Sequence, residues 1–125
     1  MDEPSANGSV DRFFDGRPEA RTIFDTVREL IADLGPAAVR VTKSQIAFAR
    51  RRAFAWAWTP DRWLRGSVAP LVLSIALAEK DSSSRWKEVV QPSPGRWMHH
   101  LELWSSADID DEVRAWLRQA ADEAK

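Results

Sequence analysis

Residues 46–60, "IAFARRRAFAWAWTP", set two alternating apolar runs on either side of three consecutive arginines, Arg50, Arg51 and Arg52, with Trp56 and Trp58 close behind. Alternation with period two marks a strand with one buried side, so the stretch reads as a β-hairpin with a basic tip. The turn decides which side chains share a face, because a one-residue slip sends every side chain to the other side. A two-residue turn at Arg51-Arg52 sets Phe48 opposite Ala55, whereas a three-residue turn at 51–53 sets Phe48 opposite Trp56 and Ile46 opposite Trp58. The second gathers the bulky groups on one side and is the register expected here. It has one weakness: three-residue hairpins favour a left-handed residue, and no glycine is available at the tip.

Working outward, "AVRVTK" (38–43) alternates as well, and a turn at Ser44-Gln45 pairs Lys43 with Ile46, Val41 with Phe48 and Val39 with Arg50. "APLVLSIALA" (69–78) and "WMHHLELW" (97–104) supply a fourth and a fifth strand. Between them, residues 79–96 form a long excursion with one helical turn expected at 85–90. Before the strands, Ile23, Phe24, Val27, Leu30, Ile31 and Leu34 recur at helical spacing, with Pro18 in the first turn and Gly35-Pro36 as the stop. A closing helix spans 106–124, with Asp108 as the expected N-cap. Residues 1–12 read as a flexible lead-in and 13–125 as one domain.

The fold class is therefore α+β: a two-layer sandwich with an N-terminal helix, a five-stranded, mainly antiparallel meander sheet and a C-terminal helix. In this register the bulky face, Trp56 and Trp58 included, lies under the helices. The other face is an alanine floor (Ala47, Ala49, Ala55, Ala57, Ala76) with Ser74, edged by Arg40, Gln45, His100 and Glu102. The reverse packing, helices on the alanines, stays open. The excursion carrying Trp86 is expected to fold over the small face.

Composition narrows the chemistry. The chain has 125 residues, seven tryptophans and no cysteine, which excludes disulfides, thiol nucleophiles and thiolate zinc sites. Its longest apolar run, residues 69–78, is too short for a membrane span, which needs about 20 residues. The start, "MDEPSANGSV", lacks the apolar core of a signal peptide. A soluble, cytoplasmic protein with no membrane partner is expected. The net charge of −1 hides a basic block: residues 36–65 hold seven bases against one acid, a pattern that steers anionic partners. Nucleotide-loop, zinc-protease and nucleophile-elbow motifs are absent from the sequence, and no cofactor is expected.

The candidate ligand-binding residues are Lys43, Arg50, Arg51, Arg52, Trp63, His99, His100 and Glu102. His99 and His100, adjacent on a strand, point to opposite faces and cannot chelate one metal ion; His99 reads as a hydrogen-bonded core histidine. His100 and Glu102 share a face and could act as a general base and its orienter; a polar pair on the sheet rim is the simpler and favoured reading. Lys43, at the end of an apolar strand, is an anion hook or a base of lowered pKa, or else it reaches past the core into water. Arg50, Arg51, Arg52 and Trp63 make a basic–aromatic surface suited to single-stranded nucleic acid, against the simpler reading of a solvated hairpin tip. Three functions remain: a non-catalytic binding module for an anionic or nucleic-acid-like ligand, which leads; a small enzyme using Lys43 or His100 as general base; and a protein–protein interaction domain.

The segments "GPAAVRVTKSQIAFARRRAFA", "RWLRG", "SSRWKEVVQPSPGRWMHHLEL" and "DIDDEVRAWLRQA" together resemble a bacterial family, domain of unknown function 5655, over roughly residues 15–121. The matching points include Thr42-Lys43, Ile46-Ala47-Phe48, Trp63-Leu64, Arg85, His99-His100 and Trp116-Leu117. The resemblance implies a small α/β domain used alone or joined to other modules. Some similar proteins carry a cysteine-rich, zinc-knuckle-like segment; this chain has no cysteine, so zinc is not implied. The resemblance brings no activity or catalytic residue, and it draws attention to Lys43 and the histidine pair.

Overall fold

Three helices and six strands follow one another in the computed structural model, which describes residues 6–125: α1 (Ala6–Phe13), α2 (Pro18–Leu34), β1 (Ala38–Val41), β2 (Ile46–Ala49), β3 (Ala53–Trp58), β4 (Leu71–Leu77), β5 (Glu88–Ser93), β6 (Arg96–Leu103) and α3 (Asp111–Glu123). All strand pairs are antiparallel, in the order β1-β2-β3-β4-β6-β5. The sheet thus has six strands rather than five. It is a meander only as far as β4, since β5 lies outside β6.

The expected helix at 18–34 is present, with Ile23, Phe24, Val27 and Ile31 buried. Phe24 stacks on Phe48 with centroids 5.8 Å apart, and Val113 and Leu117 of α3 join the same core as Leu73, Ile75, Leu101 and Leu103. The expected flexible lead-in ran over residues 1–12. Residues 1–5 lie outside the described residues, while 6–12 belong to α1, whose Val10 is fully buried. The true cap of α3 is Asp110, which accepts from Val113 N. Asp108 instead accepts from Trp104 N and Ser105 N, closing a short 3-10 turn at Ser106–Asp108.

The additional strand comes from the excursion. Two prolines in "EVVQPSPGR" argue against a strand, since proline gives no N–H to a ladder; at an edge that loss is harmless. Pro92 stands on β5, the outermost strand, and Ser93 pairs with Arg96 around Pro94-Gly95. Gly95 takes φ 72° there, a conformation that suits glycine. The excursion does not cover the small face. Trp86 is buried on the helix side, its ring 4.8 Å from His99 and 4.0 Å from Trp116, and Arg85 bonds Asp110 and Glu112 of α3.

Both hairpin registers differ from expectation. At β1–β2 the turn is centred on Lys43-Ser44, with Val41 opposite Ile46 and Val39 opposite Phe48. Thr42 drives this: its N–H donates to Gln45 O, and its Oγ1 accepts from Ser44 N and Gln45 N. Lys43 is therefore an exposed loop residue, not the end of a strand. At β2–β3 Phe48 faces Ala55, Ile46 faces Ala57 and Ala47 faces Trp56. Trp56 and Trp58 lie on the side away from Phe48. A bulge accommodates the extra residue, Phe54, which joins the core cluster.

The physical reason lies in what the helices bring. Phe24, Phe48, Leu73 and Leu117 already fill the covered side, and a close-packed interior has no room for two indoles. Ala55 and Ala57, both fully buried, are small enough for α3, whose Ala120 and Ala121, with Ala124 at its C-cap, belong to the same core. The end of α3 also fixes the tip: Ala124 O accepts from Arg51 N at 3.0 Å and Arg52 N at 3.3 Å.

Candidate functional site

Exchanging the alanines for the tryptophans turns the second sheet face into an aromatic surface. Laterally, Arg40 neighbours Ala47, then Trp56, Ser74, His100 and Glu88, one residue from each strand. Trp58 pairs with Val72, which pairs with Glu102. A groove of about 500 Å³ runs over this face, lined by Trp56, Trp58, Ser74, Met98 and His100 of the sheet, by Trp63 of the loop after β3 and by Ser44-Gln45 of the β1–β2 turn. Trp63 is 64% exposed. The Arg96 guanidinium sits 5.7 Å from the Trp56 ring centroid and orients it.

A polar chain lies in the floor. Trp58 Nε1 donates to Ser74 Oγ at 3.0 Å, and Ser74 Oγ lies 2.7 Å from His100 Nδ1. Burial lowers the His100 pKa from its ordinary value; the Glu88 charge opposes this and His99 reinforces it. A neutral ring that accepts the Ser74 hydroxyl proton on Nδ1 keeps its own proton on Nε2, a donor for a ligand in the groove.

His99 has no such freedom. It is fully buried, accepts from Asp81 N on Nε2 at 2.9 Å and has Nδ1 3.2 Å from Ile75 O. Both nitrogens are committed, so it is a core histidine. Among the described residues no group of three His, Asp or Glu could hold a metal ion, and no helix is long and apolar enough to cross a membrane.

The remaining candidates scatter. Arg50 is tied down: it donates to Leu34 O at 3.2 Å and approaches Asp122 at 3.5 Å, packed so closely under Gly35 that a Cβ there would lie 2.7 Å from its Nη2. The side chains of Arg51 and Arg52 are exposed at the far end of β2 and β3 from the groove. Glu102 pairs with Lys87 at 3.5 Å. Lys43 lines a separate groove with Arg12 and Arg62. His100 and Trp63 alone of the candidates meet in the aromatic groove. Sequence reasoning had placed Trp56 and Trp58 in the core. The available signal was Ser74, a lone hydroxyl in the middle of an apolar strand on the same face.

Residues 10–123 match the family described as Domain of unknown function (DUF5655). The chain belongs to this family. No curated protein and no solved structure matches it. For this DUF5655 domain, the reading of function rests on its own geometry.

Proposed function

We propose that the domain is a non-catalytic binding module that takes single-stranded nucleic acid on its uncovered sheet face, bases stacking on Trp56, Trp58 and Trp63. The observation that carries this reading is the placement of Trp56 and Trp58 on the face away from the helices. An indole half in water is a stacking platform for any base. Arg40 and Arg96 on the same side offer charge for the backbone, and neutral His100 offers a donor to a base edge. The absence of cysteine suits a cytoplasmic setting. Anisotropy titration of a labelled ten-nucleotide thymidine strand tests it. Trp56→Ala should weaken binding about tenfold, in line with stacking worth about 1–3 kcal/mol per base. Full-strength binding by a folded Trp56→Ala, Trp58→Ala double variant would end the proposal.

A second reading, an enzyme with His100 as general base, draws on the 2.7 Å approach of Ser74. It is weaker. Ser74 is only 4% exposed and already receives the Trp58 N–H, so its oxygen is poorly placed to attack. Lys43, the other candidate base, lines a different groove.

A further inference from the structure

Beside the aromatic groove lies another, of about 370 Å³, whose lining among the described residues includes Ser9, Arg12, Thr42, Lys43 and Arg62 and no carboxylate. Three cations meeting without an acid is costly unless water or an anion compensates them. Acids are near at hand in the sequence, but they are committed elsewhere. Asp11, next to Arg12, pairs with Arg21, and Asp61, next to Arg62, pairs with Arg17. Among the described residues none of the three cations has an ion-pair partner. Arg62 is hydrogen-bonded to neutral oxygens, Nη2 donating to Phe13 O at 2.6 Å and Nε to Thr59 Oγ1 at 2.7 Å, with its guanidinium carbon 4.5 Å from the Phe13 ring centroid; the Asp61 charge reaches it without an ion-pair contact. Among the described residues Arg12 donates to Ser9 Oγ alone, at 3.3 Å. The arrangement fixes one guanidinium beside two exposed cations.

The two grooves share their walls. In the β1–β2 turn, Thr42-Lys43 line the cationic groove and Ser44-Gln45 the aromatic one; in the next loop, Arg62 lines the first and Trp63 the second. A ligand with a ring and an anion a short reach apart would span both. We propose that Arg12, Lys43 and Arg62 form the phosphate subsite for the ligand whose ring stacks on Trp56, Trp58 and Trp63. The inference rests on the stacking reading for its aromatic half. The phosphate ester belongs either to a strand or to a free nucleotide.

The test compares a labelled ten-nucleotide thymidine strand with a ten-unit abasic phosphodiester, across a salt series, for wild type, Arg12→Gln/Lys43→Gln, Arg51→Gln/Arg52→Gln and Trp56→Ala. The four substituted cations are exposed and Trp56 is half-buried, so folding should survive, and melting temperatures verify it. Arg12→Gln/Lys43→Gln should weaken both probes about tenfold and reduce the slope of log affinity against log salt by about 1.4, two contacts at about 0.7 each on a single strand. Trp56→Ala should weaken the thymidine strand and leave the abasic probe unchanged. The Arg51/Arg52 pair removes the same charge at the far tip and should change neither slope. An equal fall in slope there would overturn the subsite, because binding would then follow net charge alone. An unchanged slope in Arg12→Gln/Lys43→Gln, beside weakened thymidine-strand binding in Trp56→Ala, would overturn the subsite and leave stacking standing. The converse, a lost slope with no effect of Trp56→Ala, would keep the phosphate site and overturn stacking. Displacement of the label by thymidine monophosphate would assign the phosphate to a free nucleotide, and displacement only by unlabelled strand to a polymer.

Discussion

On β6, His99 and His100 sit one residue apart on opposite sides of one sheet, and the two sides differ in what fills them. His99 looks into a space shared by Trp86, Ile75 and the helices, where each of its nitrogens meets a backbone group. His100 looks into a groove where one nitrogen meets Ser74 and the rest of the ring faces three tryptophans. The covered side is populated by phenylalanines, leucines and alanines, the uncovered side by indoles set among small residues. Bulk alone does not tell a covered face from an uncovered one. The covered side is sealed by helices that bring their own side chains, while the uncovered side must supply its own surface.

The sharpest way to break this contrast is to cut material from the covered side. Phe48→Ala removes a fully buried ring stacked on Phe24 and should lower stability by about 3–5 kcal/mol, read by urea unfolding. His99→Ala should follow at about 2–4 kcal/mol, since it leaves Asp81 N and Ile75 O unpaired as well as a cavity. Trp56→Ala, on the uncovered side, should cost under about 1.5 kcal/mol by the same measurement, because a half-exposed ring leaves little cavity; a loss as large as that of Phe48→Ala would show that both sides are core. The smallest effect concerns pH. The pKa of His100 is lowered from its ordinary 6.5, burial first among the causes. The unfolded chain thus takes up this proton before the folded one, and the stability held above about pH 6.5 declines as the pH falls below it. His100→Gln should flatten that decline by a fraction of a kcal/mol in unfolding curves at pH 7.5 and 5.5.

Much of this architecture was legible in the chain. The stripe from Ile23 to Leu34, the stop at Gly35-Pro36 and the alternation in "LVLSIAL" each name their element, because local periodicity reports burial directly. The hairpin register was not, and for a physical reason. Putting Trp56 beside Phe48 maximises apolar area on one face, but it ignores the volume that Phe24 and Leu117 take up there, which is a tertiary quantity. Strand β5 was hidden because Pro92 argues against a central strand and says nothing against an edge. The arginine tip drew attention through its charge density, yet Arg50 is spent on Leu34 and Asp122. The cations without an ion-pair partner among the described residues, Arg12, Lys43 and Arg62, come from three separate segments that only the fold brings together.

Pro92 has one more consequence. An outer strand that lacks a donor and carries Glu88 at its start is a poor template for another chain's backbone. On that flank, growth of the sheet by ribbon addition, whether into fibrils or into paired copies, is blunted.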